Sequence, residues 1–192
     1  MGLGVVVLGM TNAADRSPAL SEFQALSNAD LLTRYRGGLE RIERRLLDLT
    51  HGQCDTSFSP SAGVGRWSCR VLMGHLADAE LVFVHRVRRT VAEDRPVLAV
   101  WDENAFIDGG VYGDEKSGAA RPVAAFVAVM HTLRMWHGEW MLTLGRDEWA
   151  RVALHPERGE QSVRTIMDYA TWHLEHHAWY LSRKLAALLG PA

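Results

Sequence analysis

Four stretches of the chain repeat apolar residues at intervals of three and four, the spacing that builds one face of an α-helix. The first runs Leu31, Tyr35, Leu39, Ile42, Leu46 and Leu49. Ser27 and Asp30 supply a capping-box-like start, and His51-Gly52 supplies a stop. The second follows Ser68, a good N-cap, through Val71, Leu72, His75, Ala79, Val82 and Phe83 to about Val91. The third begins at Pro122, suited to a first turn, and runs Val123, Phe126, Met130, Leu133, His137, Trp140 and Leu144 to Gly145. The fourth is capped by Ser162 and runs Val163, Met167, Ala170, Leu174, His177, Leu181, Leu185 and Leu188. Its neighbouring face carries Tyr169, Trp172, His176 and Trp179, which reads as a helix-packing or dimer surface.

The segments between these stripes have no sustained period. Residues 52–66 are rich in Gly and small polar residues and read as a connection. Pro96 to Ala120 is a long crossover loop, and its Trp101, Phe106 and Tyr112 favour packing against the body. Trp101-Asp102 either borders a ligand pocket or forms an aromatic plug. Trp149 to Gln161 reads as irregular, with a turn at His155–Gly159 and no strand-period segment of useful length. The apolar run at residues 1–10 is short and lacks a preceding basic residue, so it fits neither a secretory signal nor a spanning helix. The pattern therefore predicts an all-α four-helix bundle over residues 27–192, preceded by a flexible tail over 1–26.

Composition narrows the partners more than the fold. With 192 residues, 47% of them hydrophobic and 23% charged, the chain can bury one substantial core. A net charge of -2 gives no bulk attraction for nucleic acid or an anionic membrane, which leaves a small-molecule substrate as the expected partner. Cys54 and Cys69 form no CxxC pair, so neither a disulfide framework nor a cysteine-rich zinc site is indicated, and the expected location is cytoplasmic.

The candidate chemistry lies in the histidines. His173 and His177 are one turn apart, separated by about 40° and roughly 6 Å, so both rings can reach one ion. With nine histidines in the chain, roughly 0.4 such pairs arise by chance, so the pair alone is no site. His75 strengthens it by sitting on the inward line of another helix, where Leu or Val would pack more easily. His137 satisfies the same test and is a rival ligand, whereas His176 points elsewhere. Three neutral imidazoles would leave a coordination position open, as in catalytic sites. Zinc, nickel, cobalt, iron or manganese suits such a set. Asp78 and Glu80 are candidates to orient a ligand or act as a base.

Gly65-Arg66-Trp67-Ser68, Gly74-His75-Leu76-Ala77-Asp78-Ala79-Glu80, Arg86 and Pro96 form an ordered pattern. His155-Pro156, Gly159, Ser162-Val163 and His173-Leu174-Glu175-His176-His177 continue it. In these residues, from about Ser27 to Leu189, the sequence resembles the DinB-like superfamily, the DinB/YfiT-like metalloenzymes. The resemblance implies an up-down-down-up four-helix bundle, frequently a homodimer. It further implies a divalent metal, zinc or nickel foremost, on His75, His173 and His177; His176 matches an extra histidine that need not bind metal, and His137 has no counterpart among the usual ligands, which demotes it as a rival without excluding it. It implies a metal-dependent enzyme: either a hydrolase or an S-transferase using a low-molecular-weight thiol such as bacillithiol or mycothiol, acting on a small electrophile. One branch of the superfamily is a mycothiol-dependent maleylpyruvate isomerase. The alternative from another class is a non-catalytic metal-binding or protein-interaction bundle.

Overall fold

The computed structural model describes residues 16–114 and 116–191; the apolar run at residues 1–10 lies outside them. The helices are α1 (Leu20–Gln24), α2 (Asn28–Arg36), α3 (His51–Cys54), α4 (Cys69–Ala92), α5 (Glu103–Asp108), α6 (Val123–Met141), α7 (Arg146–Ala150) and α8 (Val163–Leu189). A two-stranded antiparallel sheet, β1 (Val152–His155) and β2 (Gly159–Ser162), precedes α8.

The four elements that form the bundle are α2, α4, α6 and α8, and their side-chain pairs fix its direction. Asn28 meets Arg164, Arg34 meets Glu175 and Arg45 meets the Gly190 carbonyl, so the first segment runs parallel to α8. Phe83 meets Tyr169 and Trp67 meets His177, so α4 runs against α8. Glu80 meets Arg134 and Arg88 meets Trp140, so α6 runs with α4. This is the up-down-down-up bundle. The crossover from α4 to α6 has to be long because it returns the chain to the end where α4 began.

Four expectations need correction. The first stripe is not one continuous helix: α2 stops at Arg36 and gives way to 3₁₀ turns at Gly38–Arg41 and Arg44–Asp48 before α3. The Arg134 guanidinium crosses from α6 and donates to the Tyr35 carbonyl at 2.7 Å, taking an acceptor that a continuing helix would use. Gly38 makes room for it, since a Cβ there would collide with the guanidinium. The apolar period survives because the 3₁₀ turns still carry Ile42 and Leu46 inward.

The crossover is not wholly irregular, as it contains α5, capped by the Asp102 side chain accepting from Ala105 N. It is fastened to the hairpin: Leu98 N donates to Leu154 O, and Leu154 N donates to Pro96 O, both at 2.9 Å. The stretch read as irregular is therefore strand on either side of the expected turn, where Gly159 adopts φ +71°. Four-residue strands are too short for alternation to declare them.

Residues 16–26, read as tail, pack on α8. Phe23 is fully buried and Trp172 Nε1 donates to the Pro18 carbonyl at 2.9 Å. The aromatic face of α8 read as a packing or dimer surface is thus partly covered by the chain's own segment.

The core has two apolar clusters. One gathers Leu31, Tyr35, Phe83 and Met167, and the other gathers Leu46, Leu72, Met130 and Leu181. Polar side chains are enclosed as well: Glu80, Arg134, His75 and His173 are all buried.

Candidate metal centre

Two caps set the register of the site. The Ser68 hydroxyl accepts from Val71 N and starts α4, and the Ser162 hydroxyl accepts from Thr165 N and starts α8. From those starts α4 carries His75 inward, and α8 carries His173 and His177 on adjacent turns toward it. One ring nitrogen from each of the three lies within 4.8 Å of the others, as ligands around a single ion would. His75 Nε2 and His173 Nε2 are 3.1 Å apart. The ring centroids of His173 and His177 are 4.5 Å apart, at 80° to one another.

The donor set suits a divalent cation. Burial pushes the His75 ring down to about 4. Burial and the neighbouring histidines push His177 down to about 3 and hold His173 well below the ordinary imidazole value. All three are therefore neutral at pH 7, the state in which imidazole binds metal. His75 Nδ1 is buried with no hydrogen-bond partner.

Aromatic rings enclose the triad. Trp101 stacks on His75 at 5.3 Å and 16°, Trp67 stacks on His177 at 6.0 Å and 24°, and Tyr169 stacks on His173 at 5.8 Å and 23°. Such faces exclude water and hold the rings in place. Trp101 packs on the site and also lines a cavity.

Two cavities reach the histidines from opposite ends. A cavity of about 240 Å³ is lined by His176, His177, Arg66, Trp67, Tyr180 and Lys184, among others. A smaller one of about 50 Å³ is lined by His173, Trp101, Arg86 and Arg158. The larger is the roomier approach to the triad.

The other candidates fall elsewhere. His137 is fully buried between Tyr35 and Trp140, outside the group of converging ligands. His176 is outside the group of converging ligands: its Nδ1 lies 2.6 Å from the Ser17 hydroxyl and its ring packs on Trp172, while it also meets the His177 ring at 5.1 Å and lines the larger cavity. Glu80 is not positioned as a base at the site. It bonds the Tyr35 hydroxyl and the Arg134 guanidinium, within a buried network. Asp78 lies beside the Tyr112 hydroxyl and lines neither cavity, with burial raising its carboxyl. The residue the sequence reading missed is Lys184. It continues the inward line of α8 two turns past His177, a position that an apolar-stripe reading fills with Leu181 and Leu185 instead.

A sequence model described as the DinB superfamily matches residues 13–181. A protein of Oceanobacillus iheyensis, provisionally named a metal-dependent hydrolase, is 24% identical over 144 residues, covering 73% of this chain and 76% of its own. YfiT of Bacillus subtilis, provisionally named in the same way, is 22% identical over 148 residues, covering 75% and 78%. The solved structure of YfiT, described as an unusual four-helix bundle, superposes with a TM-score of 0.72 at 18% identity, over 92% of this chain and 95% of that one. Among the described residues, no helix is long and apolar enough to cross a membrane.

Proposed function

The chain belongs to the DinB superfamily, and from that premise we propose that it is a metal-dependent hydrolase holding one divalent ion on His75, His173 and His177. The observation that carries this reading is the convergence of three imidazoles within 4.8 Å, two of them buried and the third, His177, half-buried and lining a cavity. A nitrogen-only ligand set favours zinc or nickel over the oxygen-preferring manganese, with cobalt and iron between. When bound, such an ion supplies Lewis acidity that acidifies water and polarises a substrate oxygen.

The chain's own residues do the rest. His75, His173 and His177 fix the position of the ion on two rigid helices. Trp67 and Trp101 close off the rings beside it. No carboxylate lines the larger cavity. Proton acceptance from the attacking water is therefore assigned to His176, whose ring shares that cavity with His177 and whose pKa burial lowers. The provisional names of the relatives support hydrolysis; no comparable support attaches to transfer onto a thiol.

The test combines metal analysis with hydrolysis of 4-nitrophenyl esters by the zinc- or nickel-loaded protein. Wild type should bind about one ion per chain and lose turnover with chelator. His75→Ala, His173→Ala and His177→Ala should each lose the ion, while His176→Gln should keep it and lower kcat by about 10²-fold. Full metal retention in the triple alanine variant would remove the ligand assignment.

A further inference from the structure

Lys184 is among the most deeply enclosed side chains, at 1% exposure. Its ammonium donates to the Gly65 carbonyl at 2.9 Å and sits over the Phe58 ring at 4.5 Å. Among the described residues no carboxylate pairs with it. The ionisable group that raises its pKa is the Cys69 thiol, itself pushed up to about 12 and so neutral. Burial pushes the ammonium down to about 8, which leaves it mostly charged at pH 7. A buried charge without a counter-ion costs several kcal/mol, of order, and folds rarely keep one without a use.

The place of this charge suggests its use. Lys184 lies seven residues after His177, hence on the same face of α8 and about 10 Å further along it. Both line the 240 Å³ cavity, whose lining also includes Arg66, Trp67, Leu72, His176 and Tyr180. The cavity therefore has an enclosed cation at one end, largely apolar and aromatic sides, and His177 of the triad at the other end.

We propose that this cavity binds a small substrate bearing a carboxylate, with Lys184 holding the carboxylate and the hydrolysable acyl bond lying toward His177. An ammonium has three N–H donors, and after the Gly65 carbonyl two remain, enough for one carboxylate. Arg66 lines the same cavity but is exposed to solvent, so the enclosed charge to be matched is that of Lys184, and one carboxylate matches it. The reaction half of the proposal rests on the hydrolase reading above; the carboxylate site does not. In the reaction, water adds across the acyl–oxygen bond: its hydroxyl goes to the acyl carbon, and its proton passes to the departing alcohol.

The experiment has two arms on the full chain. In the first, zinc-loaded protein hydrolyses mono(4-nitrophenyl) glutarate and 4-nitrophenyl butyrate. Wild type should prefer the carboxylate ester in kcat/KM, and K184M should reduce that preference at least tenfold, chiefly through KM. In the second, monomethyl glutarate is titrated calorimetrically into chelator-treated protein, where its carboxylate has no ion to bind. Wild type should bind it saturably, and K184M should bind at least tenfold more weakly. K184Q, which keeps a donor for the Gly65 carbonyl, is the second variant and should behave as K184M does. Binding lost on substitution, with neither ester hydrolysed, would leave the carboxylate site standing and remove the hydrolase reading. Equal hydrolysis of both esters with no glutarate binding, or wild-type binding by K184M and K184Q, would overturn the proposal.

Discussion

His137 is fully enclosed with neither ring nitrogen hydrogen-bonded, and burial, helped by the charge on Arg88, pushes it down to about 3. Its folded value lies below the unfolded one, so its contribution to stability is complete above about pH 6.5 and is lost as pH falls toward 3. At pH 4.5 this penalty reaches about 2–3 kcal/mol for one residue. His137→Leu should therefore flatten the decline in stability between pH 8 and pH 4.5 by about that amount, measured by urea unfolding at both pH values. The sequence placed His75 and His137 identically, on inward lines of their helices. What separated them was whether other ring nitrogens came to meet them, a relation between helices that no single stripe encodes.

At the scale of the element, the first stripe shows how a correct period can hide a broken helix. Arg134 reaches from α6 to the Tyr35 carbonyl and to Glu80, and its guanidinium also covers the Tyr35 ring at 4.4 Å. Removing one partner leaves the other charge buried and unpaired. Arg134→Leu or Glu80→Gln should thus cost about 3–5 kcal/mol in urea unfolding. Both variants should keep the bound metal, because Glu80 faces this network and not the triad. Loss of metal from Glu80→Gln alone would instead return Glu80 to the site. The hairpin makes the complementary point: its turn was legible from His155–Gly159, but its strands are defined by pairing with each other and with Pro96–Leu98.

Across the whole molecule, the triad ties α4 to α8, so an ion held there is a cross-link present only in the folded state. Metal at about 1,000 times its Kd adds about 4 kcal/mol. For a chain of this size each kcal/mol moves Tm by about 2–4 °C. Chelation should therefore lower Tm by roughly 8–16 °C in wild type and leave the H75A/H173A/H177A variant unmoved, as read by calorimetry. The sequence by itself determined the helical class, the caps at Ser68 and Ser162 and the inward placement of His75 and His177, because caps and periodicity are local properties of a helix. Through its resemblance it also carried the up-down-down-up order and the three-histidine set. Only the tertiary structure decided that His137 stands apart and that Glu80 belongs to Arg134. Only it set a buried lysine at the far end of the cavity that opens on His177. Those are facts of distance between segments far apart in the chain, and they exist only once the helices have packed.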